Sequence, residues 1–177
     1  SGVDLIVGAK TGSMNLLLYS VFRIGSPTDN ISWKAYRDIA ESDDVAWAIP
    51  ISLGDSHEGY RVVGTAQAFF DHFSFGKKRR LAFSGGTTFE GTFDAVLGSE
   101  VASALSYTVG TEIILAHGLA STSFTKHDNQ PFTVAGVLAP TGTPVDQTIH
   151  VRLEGMRQCT PVDLWSPLVR SHQGIIA

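Results

Sequence analysis

The clearest periodic pattern in the chain lies between Ser32 and Glu41. Apolar side chains recur there at the three- and four-residue spacing of one helix face, and charged side chains fall between them. The apolar set is Trp33, Tyr36, Ile39 and Ala40, and the charged set is Lys34, Arg37, Asp38 and Glu41. Because serine is a favoured N-cap residue, the pattern predicts a helix that is capped by Ser32 and runs through Glu41.

Two segments rich in β-forming residues come next, Val45–Leu53 and Tyr60–Thr65. The polar segment Gly54–Gly59 between them has the composition of a hairpin loop. We therefore expect the two strands to pair antiparallel. A short helix is predicted over Gln67–Phe73, with Phe69 and Phe70 among the residues on its apolar side and Gly76 at its end.

The segment from Asp94 to Asp146 predicts a compact β-rich lobe. In it, Ala95–Leu97 is expected as a strand, Ser99 as the cap of a helix with Val101, Ala102 and Leu105 on one face, and Val109–Gly110 as a turn. Further strands are predicted at Leu81–Phe83, Thr88–Phe93, Glu112–Ala116 and Phe132–Leu138.

The two ends of the chain are predicted to add strands to the same domain. Val3–Ala9 is expected as a first strand buried on both faces, and Thr148–Leu153 as a late strand that returns to the first sheet. Thr11–Ile24 fits either a helix or an extended segment. Strands and short helices thus mix without the regular alternation of a doubly wound fold, so the predicted fold class is α+β.

Composition and charge exclude several classes of function. The 177 residues include 43% hydrophobic residues, enough for a core, and the formal net charge is -4. Lys77–Arg80 is the one basic cluster, and it fits a solvated loop or a protected strand edge. Contact with anionic lipid headgroups is the alternative, and nucleic acid comes third, so we expect no nucleic-acid partner.

The sequence contains no apolar run of the roughly 20 residues that a membrane-spanning helix requires. It also lacks a signal peptide, and it begins with Ser1 rather than methionine, which indicates an excised segment of a longer protein. The single cysteine, Cys159, excludes a disulfide within the chain and has no activating base beside it in the sequence.

One loop carries a candidate metal site. His117 and the pair His127–Asp128 flank the loop between two predicted strands, so pairing of those strands would bring two imidazoles and a carboxylate together. Zinc is the candidate ion, with His57 as a fourth ligand if the lobes approach each other. The alternative is that these are exposed polar residues of a loop that needs no cofactor.

No catalytic residue is predicted. Ser99 lies outside the G-x-S-x-G pattern of a hydrolase nucleophile, and the glycine-rich segments lack the spacing of a phosphate-binding loop. Asp43–Asp44 follows a predicted helix, where paired acids more often face solvent. The phenylalanines from Phe69 to Phe75 fit core packing, with a hydrophobic groove for lipid or lipoprotein as the alternative.

Several segments in order resemble a known family. The spacing of VLG, VA, L, VG and I from Val96, followed by the F-V-GVL of Phe132–Leu138, is similar to the extracytoplasmic core domain of ABC-transporter permeases of the MacB, LolC and FtsX type. DLIVGAK, SPTDNI and YRVVGTAQAFF resemble the opening of the same domain. The likeness covers about Asp4 to Met156, and the segment after Arg157 matches less well.

The resemblance implies a fold and its division. In that family a porter-like βα sandwich subdomain carries an inserted, mainly β lobe. Mapped onto this chain, the first subdomain would comprise about residues 1–77 and 146–177, and the second about residues 78–145. Flanking membrane helices would join the two chain ends, so these ends are expected to lie near each other.

The resemblance also implies a function without bond chemistry. The domain would sit at the periplasmic face of a bacterial inner membrane and couple ATP-driven helix movement to a substrate or partner protein. The ATPase would be a separate chain or domain, and permeases would pair as homodimers or heterodimers. The alternative is a free-standing soluble module that binds a metal or small ligand. Hydrophobic spans on both sides in the full open reading frame would favour the permease.

Overall fold

The structure is a computed structural model that describes residues 5–7, 32–117, 130–159 and 168–171. In this part of the chain the helices are α1 (Trp33–Ala40), α2 (Ala68–His72), α3 (Ser99–Leu105) and α4 (Leu153–Cys159), with a 3-10 turn at Pro144–Gln147. The strands are β1 (Leu5–Ile6), β2 (Val45–Ile49), β3 (Ser52–His57), β4 (Tyr60–Thr65), β5 (Ser74–Phe75), β6 (Arg79–Arg80), β7 (Phe83–Gly86), β8 (Asp94–Leu97), β9 (Glu112–Ile113), β10 (Ala116–His117), β11 (Phe132–Leu138), β12 (Thr148–Arg152) and β13 (Leu168–Ser171). The α+β class predicted from the sequence is confirmed.

Among the described residues, eight strands form a mixed sheet, called here the main sheet. Its order is β10-β3-β4-β12-β8-β11-β7, and β9 also pairs with β11. The central strand β12 is parallel to β4 and antiparallel to β8. The predicted strand Thr148–Leu153 is therefore confirmed, and it lies at the centre of this sheet.

The main sheet has an apolar core on each face because successive side chains of a strand point to opposite sides. Val63, Val96 and His150 lie side by side in register and face one core, where Phe69 of α2 stacks on His150 at 4.9 Å. The neighbouring positions Val62 and Ile149 face the second core, which α3 and α4 cover. The sheet is thus a middle layer between two sets of helices.

A smaller sheet of three strands, called here the end sheet, has the order β1-β13-β2. β1 and β13 come from the beginning and the end of the described chain, and β2 follows α1. Leu5 pairs with Val169, and Leu168 pairs with Ile49. The prediction that the two chain ends lie near each other is confirmed for the described residues.

The strand predicted over Val45–Leu53 is two strands in two sheets. β2 belongs to the end sheet and β3 to the main sheet, and Pro50 lies between them. Proline has no backbone N–H to donate to a strand ladder, so it ends the first strand where the chain changes sheets.

The hairpin between β3 and β4 is confirmed, but its loop is shorter than predicted. The loop consists of Glu58 and Gly59, whose φ angles of 49° and 81° are those of a tight type I′ turn. Asp55 and Ser56 belong to β3 instead and are buried, because β10 pairs along them. Their polarity made a strand look like a loop.

Four other predicted boundaries were wrong. The strand predicted over Glu112–Ala116 is two short strands, β9 and β10, which pair with different partners. Residues 88–93 form a loop, since the Asp94 carboxylate accepts hydrogen bonds from the backbone of Glu90 and Gly91 and turns the chain. The strand predicted at Leu81–Phe83 begins at Phe83 and extends through Gly86. Helix α2 ends at His72, four residues before the glycine expected to end it.

The division into subdomains of residues 1–77 with 146–177 and residues 78–145 stays a prediction. The main sheet contains strands from both segments. β3, β4 and β12 come from the first, and β7, β8, β9, β10 and β11 come from the second. None of the helices in the described ranges has the length and apolar character needed to span a membrane.

Candidate functional site

The region where the end sheet meets the main sheet is the candidate functional site, because strands from the beginning and the end of the described chain pair there. Ile49 and Ile51, on either side of Pro50, are fully buried. The hydroxyl of Thr65, at the end of β4, donates a 2.8 Å hydrogen bond to the carbonyl of Pro50. This bond fixes the crossing point between the two sheets.

Helix α2 supplies a second contact between the sheets. The ring of His72 stacks on Trp47 of β2, with 4.8 Å between centroids and an interplanar angle of 5°. Phe69 and Phe70, earlier in the helix, are buried in the core of the main sheet. The predicted helix and its apolar face are thus confirmed. The helix connects the main-sheet core to the middle of β2.

Helix α1 makes the third contact, against α4. The guanidinium of Arg157 lies 5.1 Å from the centre of the Trp33 ring, and Trp33 packs on Tyr36 at 4.9 Å. Burial raises the pKa of Tyr36, and the negative charge of Glu154 on α4 raises it further. The joint between α1 and α4 is therefore aromatic and charged.

Helix α1 itself is confirmed as predicted, with Ser32 Oγ accepting a 3.2 Å hydrogen bond from the backbone N–H of Ala35. It differs from α2, α3 and α4 because it contains no fully buried residue. Segments with few buried apolar contacts separate from their surroundings at low free energy. The α1–α4 contact is thus suited to opening without unfolding either core.

The register of the end sheet shows which residues lie level at its two ends. Leu5 and Val169 lie level with Ala48, whereas Ser171 lies level with Val45. Because β1 is antiparallel to β13, Leu5 is the residue of β1, and Ser171 the residue of β13, that lies nearest the Val45 end of the sheet.

The predicted metal site is described only in part. His117 is the last residue of β10 and pairs through its backbone with Asp55, whereas His127 and Asp128 lie outside the described residues. His57 has protein partners for both ring nitrogens: Nδ1 lies 2.7 Å from the carbonyl O of Ile114, and Nε2 lies 3.0 Å from the hydroxyl of Tyr107. The described ranges contain no group of three potential metal ligands. The zinc hypothesis stays a prediction.

The sequence predicted Ser99 as the cap of a helix, and this prediction is wrong. Gly98 is the N-cap of α3, and the Ser99 side chain instead hydrogen-bonds to the carboxylate of Asp146. That carboxylate also accepts bonds of 2.9 Å and 2.7 Å from the backbone of Thr141 and Gly142. Burial by itself would raise the pKa of Asp146, but these hydrogen bonds outweigh it and hold the pKa below its ordinary value.

The Asp146 cluster is structural, since the carboxylate's bonds go to its own loop and to α3. It fixes the turn around Thr143, and no sequence motif would have revealed the cluster. Burial raises the pKa of the Cys159 thiol, and the nearby charge of Asp55 raises it further. A thiol in that state is a poor nucleophile.

The phenylalanine patch is core rather than an open groove. Phe70 contacts Phe69, Phe83 and Phe89 at centroid distances of 5.3, 5.8 and 5.1 Å. Phe69, Phe70 and Phe89 are buried. Of the two interpretations of the patch, core packing therefore holds for these rings.

Comparison with known proteins agrees with this architecture. Residues 4–168 match the family model described as the MacB-like periplasmic core domain. The periplasmic region of MacB from Actinobacillus actinomycetemcomitans is similar, with a TM-score of 0.64 and 12% identity over 99% of this chain and 79% of that chain. A search of curated proteins gave no match.

Two further solved structures share the fold. The extracellular domain of the ABC-type transporter YknZ from Gram-positive bacteria has a TM-score of 0.56 and 13% identity, over 80% of this chain and 73% of that chain. A domain of a putative permease protein from Porphyromonas gingivalis has a TM-score of 0.50 and 15% identity, over 82% and 63%. At these identities the likeness shows the fold.

Proposed function

The chain belongs to the MacB-like periplasmic core domain family of ABC-transporter permeases, and from that premise we propose that it transmits movement of membrane helices to a substrate or partner protein outside the cytoplasm. Such transporters work with ATP-binding subunits. In this proposal the ATPase is a separate chain or domain, and two permeases pair as a homodimer or heterodimer. The domain lies at the periplasmic face of the inner membrane and carries out no bond chemistry.

One observation carries the proposal: the first and last described strands, β1 and β13, belong to a single small sheet, and this sheet is attached to the main sheet by distinct contacts. The pairing of Leu5 with Val169 puts the two connections side by side. Membrane helices joined there would move the end sheet as a unit. The main sheet, with a buried core on each face, would follow as a second rigid unit.

The contacts between the two units differ in strength. The weaker contact would open during the movement, and the stronger one would stay closed. The Pro50 crossing is buried and hydrogen-bonded, so it acts as the fixed pivot. The contact of Trp33 with Arg157 is partly exposed and lies on a helix without fully buried residues, so it is the side that opens. A ligand is moved only if its contacts differ between the two poses.

Spin labels test this proposal in the intact transporter. They would be placed on exposed positions of the two units, by Arg37→Cys on α1 and Ser103→Cys on α3, with Cys159→Ser as background. We expect the distance distribution between the labels to change between the nucleotide-free and ATP-bound transporter. An identical distribution in both states would contradict movement between the units.

A second role, metal binding, rests on His117, His127 and Asp128. In favour of it is the position of His117 at the end of β10, where its backbone pairs with the buried residue Asp55. Zinc bound by the three residues would tie the segment that follows β10 to this edge of the main sheet.

A further inference from the structure

The four consecutive basic residues form part of a small separate hairpin, called here the basic hairpin and comprising Ser74–Arg80. β5 and β6 pair through Ser74 with Arg80 and Phe75 with Arg79. The turn has positive φ angles of 53° at Gly76 and 60° at Lys78. All four cations, Lys77 to Arg80, are exposed. We propose that this hairpin binds anionic lipid headgroups of the membrane in which the transporter is embedded.

The two arginines are held in place by neutral groups. The guanidinium of Arg79 lies 4.7 Å from the centre of the Phe75 ring, and Arg80 donates a 2.6 Å hydrogen bond to the carbonyl of Asp71. Neither contact neutralises the positive charge. Among the described residues no carboxylate forms an ion pair with Lys77, Lys78 or either arginine.

The charge of the hairpin contrasts with the rest of the chain. All 17 acidic residues lie outside it, together with nine of the 13 basic residues. A net charge of -4 would repel an anionic surface on average. The unpaired charge of the hairpin therefore selects one orientation of the domain toward such a surface, with the hairpin foremost.

The position of the hairpin indicates which surface it meets. Thr65, before α2, is bonded to Pro50, and His72, at the end of α2, stacks on Trp47. Helix α2 thus runs along β2 from the Pro50 end toward the Val45 end, which is the end nearest Leu5 and Ser171. The hairpin follows α2 directly. If the chain ends join membrane helices, as in the proposed function on which this step rests, the hairpin lies on the membrane side.

An acidic surface of a partner protein is the rival occupant. A position on the membrane side favours lipid, because a lipid surface would surround the connecting helices on all sides. Each basic residue close to an anionic membrane strengthens binding about fivefold, and salt weakens the effect.

The test is co-sedimentation of the 177-residue chain with vesicles of phosphatidylglycerol and phosphatidylcholine in equal amounts, and with vesicles of phosphatidylcholine alone. We expect binding to the anionic vesicles only, lost when salt is raised to about 0.5 M. The Lys77→Gln/Lys78→Gln variant should lower the partition coefficient roughly 30-fold. Far-UV circular dichroism and thermal melting show whether each variant is folded.

The matched control is Lys34→Gln/Arg37→Gln, which removes the same charge from α1 and should leave binding near the parent value. Equal loss in both variants would show a net-charge effect and overturn the proposal. Absence of binding to anionic vesicles would overturn the proposal too. So would a hairpin variant that binds vesicles normally but transports poorly, because that result would indicate a protein partner. Vesicle binding by the isolated chain does not depend on movement between the two sheets, so this inference and the proposed function fail separately.

Discussion

The hydroxyl of Thr65 donates a 2.8 Å hydrogen bond to the carbonyl of Pro50, and both residues are buried. The bond joins the end of β4, in the main sheet, to the residue at which the chain crosses from the end sheet. A backbone carbonyl at such a crossing has no neighbouring strand to bond it, so a side chain takes that role. The relative position of the two sheets depends on this contact.

Replacing Thr65 with valine keeps the shape of the side chain but removes the donor. We expect a loss of about 1 to 3 kcal/mol in the free energy of unfolding, because the Pro50 carbonyl is left buried without its partner. Urea denaturation measures the change. Thr133→Val, at an exposed position in β11, is the matched control and should change stability little. Equal stability of the two variants would show that the bond does not fix the crossing.

Asp146 gives the domain a specific dependence on pH. Its native pKa lies below the ordinary value of 3.8, so its hydrogen bonds contribute stability that is present above the pKa of the unfolded chain. That contribution is lost as the pH falls through the lower native pKa. Asp146→Asn should therefore destabilise the domain by about 1 to 3 kcal/mol at neutral pH and progressively less as the pH falls below about 4.

Asp38→Asn, at an exposed position on α1, controls for the loss of one negative charge. Thermal melts of the parent and both variants across the acid range measure the difference. If the difference in melting temperature between the parent and Asp146→Asn is the same at every pH, the charge of the carboxylate does not stabilise the loop.

Zinc binding tests the candidate metal site of His117, His127 and Asp128. If His117, His127 and Asp128 bind the ion, zinc should raise the melting temperature by mass action, and His117→Ala/His127→Ala should abolish the increase. His72→Ala, at an exposed histidine of α2, should keep it. Calorimetry that shows no heat at about 1 mM zinc would rule the site out.

The elements that were predicted correctly are those whose local sequence favours a single type of secondary structure. α1 was found because its apolar residues recur at helical spacing, and β11 was found because it is rich in β-branched residues; in the structure the burial of β11 alternates along the strand. The hairpin of β3 and β4 was found from its composition, but its length was missed because pairing with a distant strand buries the polar residues Asp55 and Ser56.

The joint between the two sheets was not predicted, since its contacts link residues far apart in the sequence. Trp33 with Arg157 and Trp47 with His72 carry no local signal of contact. Pro50 did carry one: a proline inside an apolar β-forming run indicates that one strand ends there. The change of sheet at Pro50 could be recognised only from the pairing of β13 with β2 in the structure.

The central claim is that the end sheet and the main sheet must move relative to each other for transport. It is tested by joining them across the side that opens. Trp33→Cys and Arg157→Cys, in a Cys159→Ser background, place a reactive pair at the α1–α4 contact of the intact transporter. A short bismaleimide would link them, and a monofunctional maleimide serves as the control for modification alone.

Transport by the intact transporter, measured after the link is confirmed closed by mass spectrometry, is the decisive quantity. The account predicts that the closed link stops transport, while the same cysteines capped singly allow it and thermal melting of the linked domain shows that it stays folded. Full transport with the link closed would show that the domain is a static dock and would contradict the claim.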